Sequence, residues 1–226
     1  MAINTASPGH PVQLVSENEK GDLTFHKAAL MCCLAKVKDV PVCLISVAGQ
    51  QRMGKSFLLN VLLQKLTQAE DGCVMAQEKD PIGGFKSQVC EDTVTKGIWI
   101  WSQPCLIDTK SGKVAVFLLD TEGTMDFQQK SEKSLKLSAF SILLSSYSIV
   151  NVAKQLKETD FEYLELFIDC MEKLQEAMGS QSEPIQQLDF VIRDCDFTDD
   201  YSQQDAKQYL ANTTQVRRKF SKLFLL

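Results

Sequence analysis

Gly49-Gln50-Gln51-Arg52-Met53-Gly54-Lys55-Ser56 sets two glycines, a lysine and a serine at the spacing GxxxxGKS, which suits a phosphate cradle. A triphosphate tail carries several negative charges, so its site needs many inward-pointing donors and no side chain blocking the backbone. Gly49 and Gly54 permit that approach. The N–H groups of the loop and of the following helix start, from Gly49 through Gln50, Gln51, Arg52, Met53, Gly54, Lys55 and Ser56 to Phe57, then surround the phosphates. Lys55 reaches the outer two, and the Ser56 hydroxyl takes a place on Mg²⁺. A plain turn between strand and helix is the competing reading, and the flanks argue against it. Val42, Leu44, Ile45 and Val47 form the apolar run of a strand buried on both faces, and Leu58, Val61, Leu62 and Leu66 fall on one helical stripe.

A second chemical element is VAVFLLDTEG, in which the strand Val114 to Leu119 delivers Asp120-Thr121-Glu122-Gly123 to its carboxyl end. Asp120 is placed to hold Mg²⁺ through its water shell, and the Gly123 N–H to approach the terminal phosphate without interference from a Cβ. Asp and Gly also simply end strands; following a phosphate loop, the pattern gains weight. Glu122 is either a solvated turn acid or part of a network that positions attacking water. Between the two elements lies Asp92-Thr93-Val94-Thr95-Lys96-Gly97, a segment able to supply a hydroxyl to a nucleotide-completed metal site. Thr95 is the first choice, with Thr93 close behind and a strand-start threonine as the bland alternative. Arg52, a cation inside the loop, is either solvated or a cis arginine finger over the β/γ bridge.

These residues require a sheet to hold them. At 226 residues and 44% hydrophobic, one domain spanning 1–226 is the default. Val12 to Val15 and Leu23 to Phe25 flank a polar turn, giving a hairpin over 12–25. A short helix is expected over Ala28 to Val37, an active-site loop over Gln68 to Cys90, and strands at Ile98 to Trp101, Cys105 to Ile107 and Leu188 to Ile192. Helical periodicity covers Ser134 to Val152, Phe161 to Met178 and Ala206 to Leu223. The expected class is α/β: a P-loop NTPase-like, mostly parallel sheet flanked by helices, with ligand loops at the carboxyl ends of its strands.

Composition narrows the partners. The 24 basic and 29 acidic residues give a charge of −5, which offers no general attraction to nucleic acid or acidic lipid. Eight cysteines without CxxC spacing and only two histidines argue for buried thiols rather than zinc. A polar N-terminus without the apolar core of a signal peptide points to the cytoplasm. The uncharged stretch Leu137 to Ala153 holds seventeen residues, several of them serines. That is short of the roughly 20 apolar residues of a membrane span, so no span is expected in this chain.

GQQRMGKS, TKGIW, DTEG and Val191-Ile192-Arg193-Asp194, in that order, resemble the atlastin and guanylate-binding-protein branch of the dynamin-superfamily GTPases. The stretches TKGIWIWSQP, KVAVFLLDTEG and LKETDFEYLELF are similar to the GTPase domain of its RING-finger members. The resemblance runs from about Val12 to the C-terminus. It implies guanine recognition by Arg193-Asp194 in place of the NKxD of Ras-like proteins, with Asp194 accepting bonds from the base and Arg193 flanking it. By itself that pair would read as an exposed strand end. The resemblance also implies Arg52 as the catalytic arginine, Thr95 as the switch threonine on Mg²⁺, Glu122 and Thr93 in the water-positioning network, and GTP-dependent pairing of two domains. Relatives continue into further sheet and helices, and some into membrane hairpins, while this chain has no RING cysteine pattern. The chain is therefore expected to be a C-terminally shortened GTPase domain, with membrane association belonging only to the parent family's missing segments. The resulting reading is GTP hydrolysis to GDP and phosphate. A nucleotide-binding switch with little turnover is the alternative, and an ATP-dependent phosphotransferase lacks the lid arginines it would need.

Overall fold

The computed structural model describes residues 9–37, 39–50, 52–70, 84–85, 96–122, 132–178 and 187–194. Their strands are β1 (Pro11–Glu17), β2 (Leu23–Phe25), β3 (Val42–Ala48), β4 (Ile98–Trp101), β5 (Cys105–Thr109), β6 (Gly112–Thr121), β7 (Tyr147–Ala153) and β8 (Gln187–Arg193). The helices are α1 (Lys27–Leu34), α2 (Lys55–Glu70), α3 (Glu132–Leu144) and α4 (Glu158–Met178). One sheet takes the order β2-β1-β4-β6-β3-β7-β8, with β5 also pairing β6. Its central strands β6, β3, β7 and β8 all run parallel, and β1, β2, β4 and β5 add antiparallel pairings.

The alternation along β6 shows how the layers form. Ala115, Phe117 and Leu119 pack with Leu14, Ile98, Ile100 and Leu137 on the face covered by α1 and α3. Val116 and Leu118 point the other way, against Leu59 and Leu63 of α2. A strand buried on both faces is mostly apolar, and each fully buried Val, Leu or Phe side chain contributes roughly 1.5–3 kcal/mol of transfer free energy. Beyond β7, α4 adds Tyr163, Leu164 and Phe167 to a third cluster with Val150 and Val152.

Two expectations change in detail. The apolar stripe of α2 is centred on Leu59 and Leu63, with Leu58, Leu62 and Leu66 beside them, while Val61 is exposed. The helix expected over Ser134 to Val152 ends at Leu144, and Tyr147–Ala153 is the strand β7. Ser145 and Ser146 supply the break: Ser145 Oγ folds back on the Ser141 carbonyl, and Ser146 N donates to Leu44 O at 2.8 Å, which starts the pairing with β3. Tyr147, Ile149, Val150 and Val152 are the β-branched and aromatic residues that favour extension. The hairpin over 12–25 forms, with Asn18 Oδ1 accepting from the Lys20 and Asp22 N–H groups in its turn, and β1 joins it to the main sheet by pairing with β4.

Within Gln68 to Cys90, Phe85 is buried against Trp101 and anchored by two hydrogen bonds with Asn60. The expected helix over Ala206 to Leu223 lies outside the described residues. Among the described residues, no helix is long and apolar enough to cross a membrane.

Register positions the site. Val47 pairs with Asp120, Ala48 with Val150, and Ala153 with Arg193, so the carboxyl ends of β3, β6, β7 and β8 reach one edge together.

Candidate functional site

The chain leaves β3 through Gly49, which is buried. A Cβ there would stand 2.7 Å from the Asn151 carbonyl oxygen, so the backbone passes too close to β7 for any other residue. Arg52 and Gly54 both take left-handed conformations, with φ of 61° and 71°, and turn the loop into the first residue of α2, Lys55. The Gly54 carbonyl already accepts the Leu58 N–H at 2.9 Å. The first N–H groups of α2 have no partner of their own within the helix and carry the positive end of its dipole, so this turn is a ready anion site.

The side chains around the turn suit that chemistry. Lys55 is buried, and its Nζ donates to Gln50 O at 3.0 Å, beneath its own loop. Burial lowers its pKa from 10.5 to about 8, with Asp120 and Glu122 pulling in the opposite direction. Ser56 Oγ donates to Asp120 Oδ2 at 2.8 Å, bringing together a hydroxyl and a carboxylate from two separate motifs. Glu122 is buried rather than solvated: its Oε2 accepts the Gly97 N–H at 3.0 Å, and its own N–H donates to Gly97 O at 2.9 Å. Gly97 itself, at φ 76°, has the Val15 carbonyl 2.0 Å from where a Cβ would sit. Glu122 therefore fixes the point at which the chain carrying the Thr93 and Thr95 candidates enters β4.

Arg193 reaches the loop as well. Its guanidinium donates to Asn151 Oδ1 at 2.7 Å and to the Met53 carbonyl, and it lies against Gly54. Asp194, next along the chain, is exposed at φ 54°. Arg52 and Phe57 are exposed. The structure thus brings Gly49, Gln50, Met53, Gly54, Lys55, Ser56, Asp120, Glu122 and Arg193 to one edge of the sheet. Gln51, Thr93, Thr95 and Gly123 lie outside the described residues.

Sequence reasoning missed Asn151. It is buried within an apolar strand and donates from Nδ2 to Met53 O at 2.6 Å. The signal was present, because an amide inside the run Tyr147 to Ala153 has to find partners. It could be read only once that run was recognised as a strand ending beside the loop.

The family described as guanylate-binding protein, N-terminal domain, matches residues 20–223. Human RING finger protein 112 is 41% identical over 190 residues, covering 81% of this chain and 29% of that protein. The Drosophila melanogaster atlastin is 34% identical over 196 residues, covering 84% and 36% respectively. Human atlastin-3 is 32% identical over 225 residues, covering 96% and 41%. The chain therefore spans well under half the length of these relatives.

Proposed function

The chain belongs to the guanylate-binding-protein N-terminal domain family, whose members are GTPases, and from that premise we propose that it binds GTP and hydrolyses it to GDP and phosphate. The observation that carries this reading is the buried Lys55 beneath the glycine turn, with the Ser56–Asp120 pair at its side.

In this reading the loop amides and Lys55 hold the β- and γ-phosphates. Asp194 reads the guanine, and Arg52 stabilises charge developing on the bridging oxygen. Glu122 holds Gly97, and with it the segment bearing Thr93 and Thr95, so that water is aligned with the γ-phosphorus. Water oxygen bonds to that phosphorus as the bond to the bridging oxygen breaks, and the water protons leave with the phosphate. Ser56 and Asp120 offer hard oxygen donors of the kind Mg²⁺ prefers. Among the described residues no group of three or more His, Cys, Asp or Glu side chains could hold a metal alone, which suits a site completed by the nucleotide. The ion would neutralise phosphate charge. Pairing of two domains on GTP belongs to the same proposal. So does a cytoplasmic setting, which the free thiols of Cys32, Cys33, Cys43, Cys105 and Cys170 suit.

The test is phosphate release from GTP and from ATP, with each as competitor of the other. GTP is expected to be hydrolysed and to be displaced poorly by ATP. A preference for ATP would remove the role of Asp194, and tight GTP binding without release would leave a switch rather than an enzyme.

Lys55 also sets a pH dependence. Its folded pKa of about 8 lies below the ordinary 10.5, so the nucleotide-free fold disfavours its charge. That penalty is fully present below pH 8 and fades as the group deprotonates, so stability without nucleotide should rise between pH 8 and 10.5. An incoming triphosphate restores the charge. GTP affinity is therefore expected to fall as pH rises through 8, with proton uptake on binding. Calorimetry in buffers of different ionisation heat measures that uptake, and its absence above pH 8 would contradict the assignment.

A further inference from the structure

We propose that Asn151 is a positioning residue that aims the phosphate loop and couples it to the base-reading end of β8; the coupling to base rests on the GTP-binding reading above, whereas the aiming does not.

The chemistry of the three groups admits one arrangement. A guanidinium only donates and a backbone carbonyl only accepts. An amide placed between them must turn its oxygen to Arg193 and its NH₂ to Met53. Asn151 does so, accepting from Arg193 Nε at 2.7 Å and donating to Met53 O at 2.6 Å, while Arg193 also donates to Met53 O directly. The triangle is closed, and Asn151 is 2% exposed, so water competes little with either bond. The backbone of the same residue bounds the loop entrance, where its carbonyl leaves room only for Gly49. One residue thus constrains both ends of the turn.

The consequence for phosphate binding follows from peptide geometry. In a trans peptide the C=O and the next N–H point in opposite directions. Holding the Met53 carbonyl against Asn151 and Arg193 therefore turns the Gly54 N–H away from β7 and β8. Arg193 precedes Asp194, and its carbonyl accepts the Lys154 N–H at 2.7 Å, which ties the ends of β7 and β8 together. A movement of Asp194 on meeting a base is transmitted through Arg193 and Asn151 to the peptide that ends the loop.

The test uses Asn151→Ala and the isosteric Asn151→Asp, which keeps the Arg193 contact but turns an acceptor toward Met53 O. The first measurement is hydrogen exchange without nucleotide. Exchange over residues 49–56 is expected to quicken about tenfold or more in either variant, while β4 and β6 hold their protection. Unchanged exchange in the loop, or equal acceleration everywhere, overturns the aiming role, and it does so even if the wild-type protein binds no GTP and the proposed function fails.

The second measurement is titration with GTP and with tripolyphosphate, which has no base. Asn151→Asp is expected to weaken both by about tenfold to a hundredfold. Arg193→Ala combined with Asn151→Ala is expected to cost no more than the worse single change. Independent addition of the two effects would mean that they act separately and would end the coupling.

Discussion

Lys55→Ala is expected to abolish GTP binding without unfolding the protein. The ammonium is a charged donor to the loop, held at 3.0 Å from Gln50 O and shielded from water. Bonds from a charged donor to phosphate contribute roughly 1.5–3 kcal/mol each, and loss of two such bonds weakens binding by more than about a hundredfold. The effect on the empty protein runs the other way. Burial already holds the Lys55 pKa down to about 8, so at neutral pH the fold carries a cation it disfavours. Removing it relieves that penalty, which offsets the carbonyl left to find water and the favourable neighbour lost by the buried Asp120 and Glu122. The variant should therefore melt within a few degrees of wild type, at about the scale of one lost hydrogen bond. Titration with a fluorescent GTP analogue, read beside a thermal melt, separates the two effects. Retained binding within about tenfold of wild type would show that Lys55 faces no phosphate.

The same lysine shows why the local motif was legible from sequence. Gly49, Gly54, Lys55 and Ser56 are close together in the chain, so their placement depends only on one strand, one turn and one helix start. Asp120 was legible because its strand is an unmistakable apolar run, and the register of β3 with β6 then brought it to Ser56. Where the reading failed, the same apolar composition served two structures. Leu137 to Ala153 is uncharged throughout, and periodicity alone could not divide it into α3 and β7. That error hid Asn151, because on a helix its amide would have had no fixed neighbour. Arg193 and Asp194 had no local signal at all, and only the resemblance singled them out. The partnership of Arg193 with Met53 spans 140 residues, and only the sheet could reveal it.

Arg52→Ala is expected to spare GTP binding and to lower turnover by about a thousandfold, the scale of an arginine finger. The position argues for function before any chemistry is invoked. A non-glycine residue at φ 61° is strained, by roughly 1–2 kcal/mol, and such strain persists where the surrounding structure or a function holds it. Glycine would suit that backbone better, so Arg52→Gly should match or exceed wild-type stability while losing the same activity. The side chain is exposed, unlike that of the buried Lys55. An exposed guanidinium is open to contact with whatever covers it, and such a cover can set its orientation. If pairing of two domains supplies the cover, the rate per molecule of wild-type protein should rise with protein concentration and that of Arg52→Ala should stay flat. Lysine is a poor substitute, since a point charge on a flexible stem lacks the planar fork that can span two oxygens. Single-turnover phosphate release across a concentration series reads all of this at once. Equal rates for Arg52→Ala and wild type at every concentration would show that the cation in the loop takes no part in the chemistry.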